Sequence, residues 1–142
     1  RVLIASEAIG IGRSALDRAA SYAGERIVFG RPVGQNQSIQ HPLAESWCEL
    51  EAAWLTAMLA AWRYDAKLEC GAQANAAKFL AGEAGFRACE RAVMTHGGMG
   101  YAKEFHVERL LREVLICRIA PISPQLILSH IAEKVLALPK SY

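Results

Sequence analysis

The placement of proline constrains this chain more than any other feature of its sequence. Five prolines occur among 142 residues, and none of them lies between Pro42 and Pro121. Proline breaks helices, so a stretch without proline can form long uninterrupted helices. Alanine, the best helix former, also recurs throughout this stretch. No segment alternates apolar and polar residues over the length of a strand, so the sequence predicts an all-α fold.

Glycine and proline also mark where the helices end. Residues 29–36 hold two glycines and a proline, and residues 97–100 hold three glycines, so both segments are predicted loops. Long helices joined by short loops predict an antiparallel four-helix bundle with an additional short helix. The predicted helices cover residues 2–28, 38–69, 73–95, 104–115 and 125–136.

Two of these helices carry patterns that predict a buried face. The first half of helix 2–28 is apolar nearly all round, which is typical of a buried helix, with Glu7 as the odd residue. Along helix 38–69, Trp47, Trp54 and Trp62 fall on one side, and this favours a place in the core over a stacking platform. A ladder of alanines in helix 73–95 suits close helix packing.

Composition excludes several functional classes. Hydrophobic residues make up 53% of the chain and charged residues 21%, which is unlike a disordered segment. No wholly apolar run reaches the length of a membrane-spanning helix, so no membrane span is expected. The net charge of +2 without a basic run argues against nucleic acid as a partner. The four cysteines form no CxxC pair, which predicts reduced thiols and a cytoplasmic protein.

Two motifs suggest more than packing. Gly97, Gly98 and Gly100 form a GGxG sequence, which either ends a helix or lets open backbone N–H groups approach an anion. Arg26, at the end of the first predicted helix, either caps that helix or gives its guanidinium to a phosphate. The sequence alone leaves both choices open. No strand precedes the glycines, so a dinucleotide fold of the Rossmann type is not indicated.

Other polar residues give weaker signals. No histidine stands four residues from another histidine or from a cysteine, so no metal site is expected. His96 adjoins the glycines and is either a ligand contact or a neutral residue at a helix end. Glu7 is a carboxylate within an apolar stretch and is therefore expected to be paired or functional.

Taken together, these segments resemble the C-terminal helical domain of the acyl-CoA dehydrogenase flavoproteins. The resemblance covers essentially the whole of residues 1–142 and is strongest over residues 15–45, 96–105 and 108–114. It rests on the order and spacing of Tyr22, Glu25–Arg26, Phe29–Gly30, Gln37, Leu43–Ala44–Glu45, Gly97–Gly98–x–Gly100 and Arg112.

The resemblance implies that the chain is part of a longer subunit that binds FAD between domains and across a subunit interface. It implies acyl-CoA as substrate, an electron-transfer flavoprotein as acceptor, and a homodimer or homotetramer, with a heteromeric assembly also open. Arg1 matches a substrate-site position. The positions that match cofactor contacts are Arg26, Phe29, Gln37, Gly97, Gly98, Ser123 and Gln125.

The sequence departs from the family pattern at two positions. Met94 stands where the family usually has a glutamine that helps to hold the cofactor. Pro121 falls where most members carry the catalytic glutamate, and proline cannot act as a base. In some members the base instead precedes the arginine that matches Arg1, which places it outside this chain, and Glu7 is a weaker candidate.

Three functions follow as hypotheses. The first is an acyl-CoA dehydrogenase that removes an α-proton and transfers the β-hydride to flavin, with this domain supplying cofactor and interface contacts. The second is a non-catalytic subunit of the same family that binds FAD and pairs with a competent chain. The third is an unrelated helical binding module in which the glycines only end a helix.

Overall fold

The computed structural model describes residues 1–141, and it confirms the predicted all-α bundle. Consecutive long helices are joined by short connections and pack against one another, as the punctuation of the sequence predicted. The predicted domain ends at Tyr142, which lies outside the described residues. The helices are α1 (Val2–Glu25), α2 (Gln37–Asp65), α3 (Gly71–His96), α4 (Val107–Ile119) and α5 (Pro124–Lys134).

The first predicted helix extends too far, because α1 stops at Glu25. The chain then forms a short antiparallel hairpin of β1 (Ile27–Val28) and β2 (Arg31–Pro32), with Val28 opposite Arg31. Phe29 and Gly30 occupy its tip with positive φ angles of 52° and 79°. Strands of two residues are too short to show an alternating pattern, so no sequence pattern predicted them.

Left-handed backbone explains two further differences in the helix bounds. Past the C-terminus of α2, Lys67 adopts a φ of 58°, and the helix ends at Asp65 instead of residue 69. Before α4, residues Lys103–Phe105 form a 3₁₀ turn and His106 has a φ of 62°, so α4 begins at Val107 instead of residue 104. A helix cannot continue through a residue in this conformation.

The core lies where α1, α2 and α4 pack around α3. The alanine ladder of α3 is buried, and Gly85 brings α3 close to α1: an added Cβ would lie 2.6 Å from the carbonyl oxygen of Ala8. Likewise, a Cβ on Gly12 of α1 would lie 2.8 Å from Leu50 Cδ2. Small residues therefore set the distances between these helices.

The predicted burial of the tryptophans was wrong. Trp47 is 59% exposed and Trp62 is 58% exposed, whereas Trp54 is half-buried. The buried side of α2 instead consists of Ser46, Leu50, Ala53, Ala57 and Ala60. An indole does not fit where α2 approaches α3 closely, so small side chains take the buried positions.

The first half of α1 is also less enclosed than its composition predicted. Leu3 is 84% exposed, and Glu7 and Gly10 are exposed as well. Ala5, Ala8 and Ile9 provide the buried face. Apolar residues around a whole helix therefore did not mean burial on every side here, and Glu7 is not a buried carboxylate.

Residues Val107–Lys134 are long and apolar enough, by length and composition, to cross a membrane, which the sequence analysis did not anticipate. In the structure this stretch is divided by the non-helical residues 120–123 into α4, of 13 residues, and α5, of 11 residues. Helices of these lengths extend only about 20 Å and about 16 Å, against the ~30 Å of a bilayer's hydrocarbon core. Of the residues of α5, only Ile127 is buried.

Candidate cofactor-binding site

The C-terminal ends of α1 and α3 meet at a cleft of about 280 Å³, here called the Arg26 cleft. Two of its lining segments carry motifs that the sequence analysis singled out separately, Arg26 and the glycines. The cleft is lined by Tyr22, Arg26, Val28, Val33, Met94, Thr95, His96, Gly97, Gly98 and Met99. The fold thus brings Arg26 and Gly97–Gly98 together.

Arg26 follows directly on α1 and has an extended backbone conformation. Its backbone N–H donates to the carbonyl oxygen of Tyr22 at 2.8 Å, so the main chain satisfies the helix end. The guanidinium takes part in none of the ion pairs formed within residues 1–141, and the residue is exposed. Its planar set of donors is suited to a phosphate.

The three glycines have different local roles. Gly97 has a φ of 59°, a conformation that favours glycine, and an added Cβ on Gly97 or Gly98 would meet no atom within 4 Å. Gly100 is buried, and a Cβ there would lie 2.3 Å from the carbonyl oxygen of Val93. The first two glycines therefore leave open backbone beside the cleft, and the third allows the turn to fold against α3.

Three aromatic rings close the inner side of the Arg26 cleft. The rings of Tyr22 and His96 stack with their centroids 4.2 Å apart, and Phe105 meets both rings edge-on. His96 is 5% exposed, and its Nδ1 lies 2.7 Å from the carbonyl oxygen of Ala92. The sequence identified Tyr22 only by its place in the family pattern and His96 by its neighbours; it contained no signal that the two rings stack.

Four of the predicted cofactor residues do not line the Arg26 cleft: Phe29, Gln37, Ser123 and Gln125. Phe29 is fully exposed at the hairpin tip, and Gln37 is exposed at the first residue of α2. Met94, the departure from the expected glutamine, lines the cleft and is 74% exposed. The structure therefore presents Phe29 and Gln37 on surfaces near the cleft, open to contacts from other chains or domains.

A second cleft, of about 260 Å³, lies beside the N-terminus of α1 and is here called the Arg1 cleft. Both Arg1 and Ile122, the residue that follows Pro121, line this cleft. It is lined by Arg1, Asn75, Ile122, Leu126, Ser129, His130 and Glu133. The sequence analysis did not identify Asn75, His130 or Glu133 as residues of this region, because their proximity depends on how α5 packs.

The remaining predicted residues of this region lie around the start of α5. Ser123 is the N-cap of α5, and its hydroxyl oxygen accepts a hydrogen bond from the Leu126 N–H at 3.4 Å. Pro121 and Gln125 are exposed beside it. Glu7 does not line the Arg1 cleft; its carboxylate lies next to the thiol of Cys117 on α4.

Three buried ionisable groups lie on α3 and α4. Lys78 is 1% exposed, and its Nζ donates to the carbonyl oxygen of Arg118 at 2.8 Å. Burial lowers the pKa of Lys78. Burial, followed by the nearby charge of Glu7, raises the pKa of Cys117, and burial raises the pKa of Cys89 to about 12. These thiols are therefore held protonated and unreactive.

Arg1 also borders a second groove, of about 480 Å³. Its other walls come from the start of α1, the end of α2 and the start of α3, and they are mostly apolar.

Within residues 1–141, no group of three or more histidine, cysteine, aspartate or glutamate side chains is placed to hold a metal ion.

Comparison with known families and proteins agrees with this geometry. Residues 1–136 match the family model described as "Acyl-CoA dehydrogenase, C-terminal domain". The acyl-CoA dehydrogenase FadE12 of Mycobacterium tuberculosis is 42% identical over an alignment of 144 residues, which covers 100% of this chain and 37% of that protein. The caffeyl-CoA reductase-Etf complex subunit CarC of Acetobacterium woodii is 41% identical, with 86% of this chain and 31% of that protein covered.

Solved structures give the same result. Butyryl-CoA dehydrogenase from Megasphaera elsdenii superposes with a TM-score of 0.93 at 31% identity, covering 96% of this chain and 36% of that one. A glutaryl-coenzyme A dehydrogenase in complex with glutaryl-CoA also has a TM-score of 0.93, at 32% identity, covering 99% of this chain and 36% of that one. The chain spans little more than a third of the length of these relatives. It belongs to the acyl-CoA dehydrogenase family and matches the C-terminal domain of that family.

Proposed function

We propose that this chain is the C-terminal helical domain of an FAD-dependent acyl-CoA dehydrogenase. The full-length protein would oxidise an acyl-CoA thioester to the 2,3-enoyl-CoA, with loss of a proton from the α-carbon and of a hydride from the β-carbon. The observation that carries the proposal is the meeting of Arg26 with Gly97–Gly98 in one cleft of a chain that belongs to this family.

The residues of the Arg26 cleft fit the diphosphate part of FAD. The Arg26 guanidinium would bind phosphate oxygens, and the backbone beside Gly97 and Gly98 would approach them without obstruction from a side chain. Phe29 and Gln37 are exposed on surfaces that a neighbouring subunit can cover. When bound, FAD supplies the acceptor of the hydride. This domain's own part is to bind and orient the diphosphate.

The Arg1 cleft is the proposed substrate side. Arg1 would orient the acyl-CoA, and Ser123 and Gln125 would contact the cofactor. Removal of an α-proton needs a base such as a carboxylate, and the turn 120–123 provides none because Pro121 stands at the usual position. We assign the base to the residue that precedes Arg1 in the full-length protein. Glu7 lies about 10 Å further along α1, next to Cys117, and is the weaker candidate.

A non-catalytic subunit is the second candidate, and Pro121 favours it. Such a chain would keep the Arg26 cleft, bind FAD and pair with a chain that carries the base. Both candidates would bind FAD in the Arg26 cleft, so only the presence of a catalytic base distinguishes them.

The partners follow from the same proposal. An electron-transfer flavoprotein would reoxidise the flavin; the relative CarC is itself named as a subunit of an Etf complex. Apolar residues exposed on α4 and α5, such as Ile116, Ile119 and Leu126, would be covered in a homodimer or homotetramer. A cytoplasmic location remains a prediction from cysteine usage.

The test uses the full-length protein. Its flavin absorption band is recorded, and a panel of acyl-CoA thioesters of different chain lengths and branching is then added without oxygen. Bleaching by a thioester is the expected result and establishes a dehydrogenase with its base outside Pro121. A yellow protein that no thioester bleaches supports the non-catalytic subunit, and a colourless protein that does not take up FAD contradicts both.

A further inference from the structure

Three aromatic residues that the proposed function does not use lie directly behind the Arg26 cleft; together they are here called the aromatic clasp. The rings of Tyr22 and His96 are stacked, with centroids 4.2 Å apart and planes 23° apart. Phe105 packs edge-on against both, at 5.7 Å from Tyr22 and 5.6 Å from His96. The three rings come from α1, the end of α3 and the 3₁₀ turn before α4.

The clasp connects the end of α1, which precedes Arg26, to the end of α3, which precedes Gly97. Tyr22 lies one helical turn before Arg26, and its carbonyl oxygen accepts the hydrogen bond from the Arg26 N–H at 2.8 Å. His96 directly precedes Gly97. The two stacked rings therefore link the segment that carries the guanidinium to the segment that carries the glycine backbone.

The orientation of the His96 ring is also fixed. Its Nδ1 lies 2.7 Å from the carbonyl oxygen of Ala92, and because a carbonyl only accepts, Nδ1 carries the hydrogen. The side chain is 5% exposed and is held between Tyr22 and Phe105. A ring held on three sides cannot rotate without disturbing the end of α3, so the turn at Gly97 begins from a fixed point.

We propose that the aromatic clasp of Tyr22, His96 and Phe105 positions the Arg26 guanidinium and the Gly97–Gly98 backbone for the adenosine diphosphate half of FAD. The inference rests on the proposed function, since it takes FAD as the ligand of the Arg26 cleft. Tyr22 and His96 act as positioning residues. Their effect is to keep arginine and amides at the separation that a diphosphate needs before the ligand arrives, which lowers the entropic cost of binding.

The proposal makes a prediction that a general packing role does not make. FMN shares the isoalloxazine ring and one phosphate with FAD but lacks the adenylate half. Because FMN keeps only one of the two phosphates, loss of the clasp should weaken the binding of FAD several-fold more than the binding of FMN. A loss of overall packing would instead weaken both flavins by similar factors, because both need the folded site.

The experiment measures the dissociation constants of FAD and FMN, by flavin fluorescence, for the full-length apoprotein and its Tyr22→Leu and Tyr22→Phe variants. Tyr22→Leu removes the ring stack and should weaken FAD about five- to tenfold, with FMN within about twofold of the unaltered protein. Tyr22→Phe keeps the ring and should restore FAD binding. Phe86→Leu is the matched control: Phe86 is a half-buried aromatic residue about 15 Å along α3 from His96, where it packs beneath Arg118.

The outcomes separate the clasp from the proposed function. Equal weakening of FAD and FMN by Tyr22→Leu, or no weakening of either, would overturn the clasp while leaving the cofactor proposal in place. The same would follow if Phe86→Leu lowered the preference for FAD as strongly as Tyr22→Leu. An unaltered protein that binds neither flavin would overturn the proposed function and the clasp with it.

Discussion

The Arg26 cleft and the Arg1 cleft differ in how their walls are held. The Arg26 cleft lies between the ends of α1 and α3, two helices of the core, and the stack of Tyr22 and His96 joins them. One wall of the Arg1 cleft is α5, which buries only Ile127. The first cleft is thus shaped by the core of this domain, and the second depends on a helix with little packing of its own.

The two clefts also differ in whether they contain the chemical groups that their proposed roles require. The Arg26 cleft holds open glycine backbone and a guanidinium that forms no ion pair within residues 1–141, and such groups are suited to an anion. The Arg1 cleft is lined by Arg1 and by Ile122 of the turn 120–123, a turn without a carboxylate, and the carboxylate of Glu133 in its lining is paired with Lys134. Under the proposed function, this domain would bind the cofactor with groups of its own, whereas its substrate side would need groups from elsewhere in the protein.

The largest expected effect tests how firmly the Arg26 cleft depends on the core. Gly100→Ala places a Cβ 2.3 Å from the carbonyl oxygen of Val93, so the turn must shift, and we expect a loss of about 3 kcal/mol in unfolding free energy. Urea unfolding of the full-length protein measures it. The matched control is Gly98→Ala, whose Cβ meets no atom within 4 Å and should cost less than about 1 kcal/mol. Equal losses would show that backbone crowding at Gly100 does not hold the cleft.

The next effect concerns the ligand itself. Arg26→Gln removes the free guanidinium and should weaken FAD binding about 30-fold, which is about 2 kcal/mol, since hydrogen bonds to charged groups contribute about 1.5–3 kcal/mol. Fluorescence titration of the apoprotein gives the constant. Arg31→Gln, in the neighbouring hairpin, is the control: Arg31 is exposed and already bonded to Asn36 at 2.7 Å. If both variants bind FAD equally well, the Arg26 cleft is not the diphosphate site.

A smaller effect concerns the support of the Arg1 cleft. Lys78 donates a hydrogen bond to the carbonyl oxygen of Arg118, near the end of α4 and just before the turn 120–123. Burial lowers the pKa of Lys78 below the ordinary 10.5. At pH values between the lowered pKa of Lys78 in the folded state and 10.5, the unfolded chain binds more protons at this amine than the folded chain. The free energy of unfolding therefore rises with pH over this range. The rise amounts to about 1.4 kcal/mol for each unit by which the pKa is lowered.

The measurement compares the unaltered protein with Lys78→Met by urea unfolding from about pH 7 to about pH 10. The unaltered protein should gain stability relative to Lys78→Met as the pH rises, because methionine has no proton to lose. Lys103→Met is the control, since it removes the amine of an exposed lysine. A difference between the unaltered protein and Lys78→Met that stays constant over this range would contradict the burial of a charged lysine.

The smallest effect concerns α5. Ser123→Ala removes the side-chain cap of this helix and should cost about 0.5–1 kcal/mol, seen as faster hydrogen exchange of α5 amides without change in α1 or α3. Ser129→Ala, within the same helix, removes a hydroxyl but no cap and serves as the control. If exchange accelerates equally in α1, then α5 unfolds together with the core, and the contrast drawn between the two clefts does not hold.

Much of the fold was predictable, because helix formation depends on local preferences that the sequence displays. The proline-free stretch, the alanine ladder of α3 and the breaks at 29–36 and 97–100 all match the structure. The errors lie where packing overrides pattern. Trp47 and Trp62 continue an apolar stripe, yet they are exposed because α2 turns another side, which includes Leu50 and Ala53, toward the core.

The sequence also identified the chemistry of Arg26, Gly97 and Gly98 but could not choose between a helix cap and a ligand site. The structure separates these roles: the backbone N–H of Arg26 caps α1, and its guanidinium remains available. The Arg1 cleft was only partly predictable, since Asn75 and His130 reach it through the packing of α5 against α3.

The sequence by itself determined the helical class, the positions of the breaks, the family and the absence of a carboxylate at Pro121. These depend on residue type and on spacing along the chain. Only the tertiary structure decided which side of α2 is buried, that Tyr22 stacks on His96, and that Arg26 meets Gly97 in one cleft. Those facts depend on how closely helices far apart in sequence approach each other, a distance set by small residues such as Gly12 and Gly85.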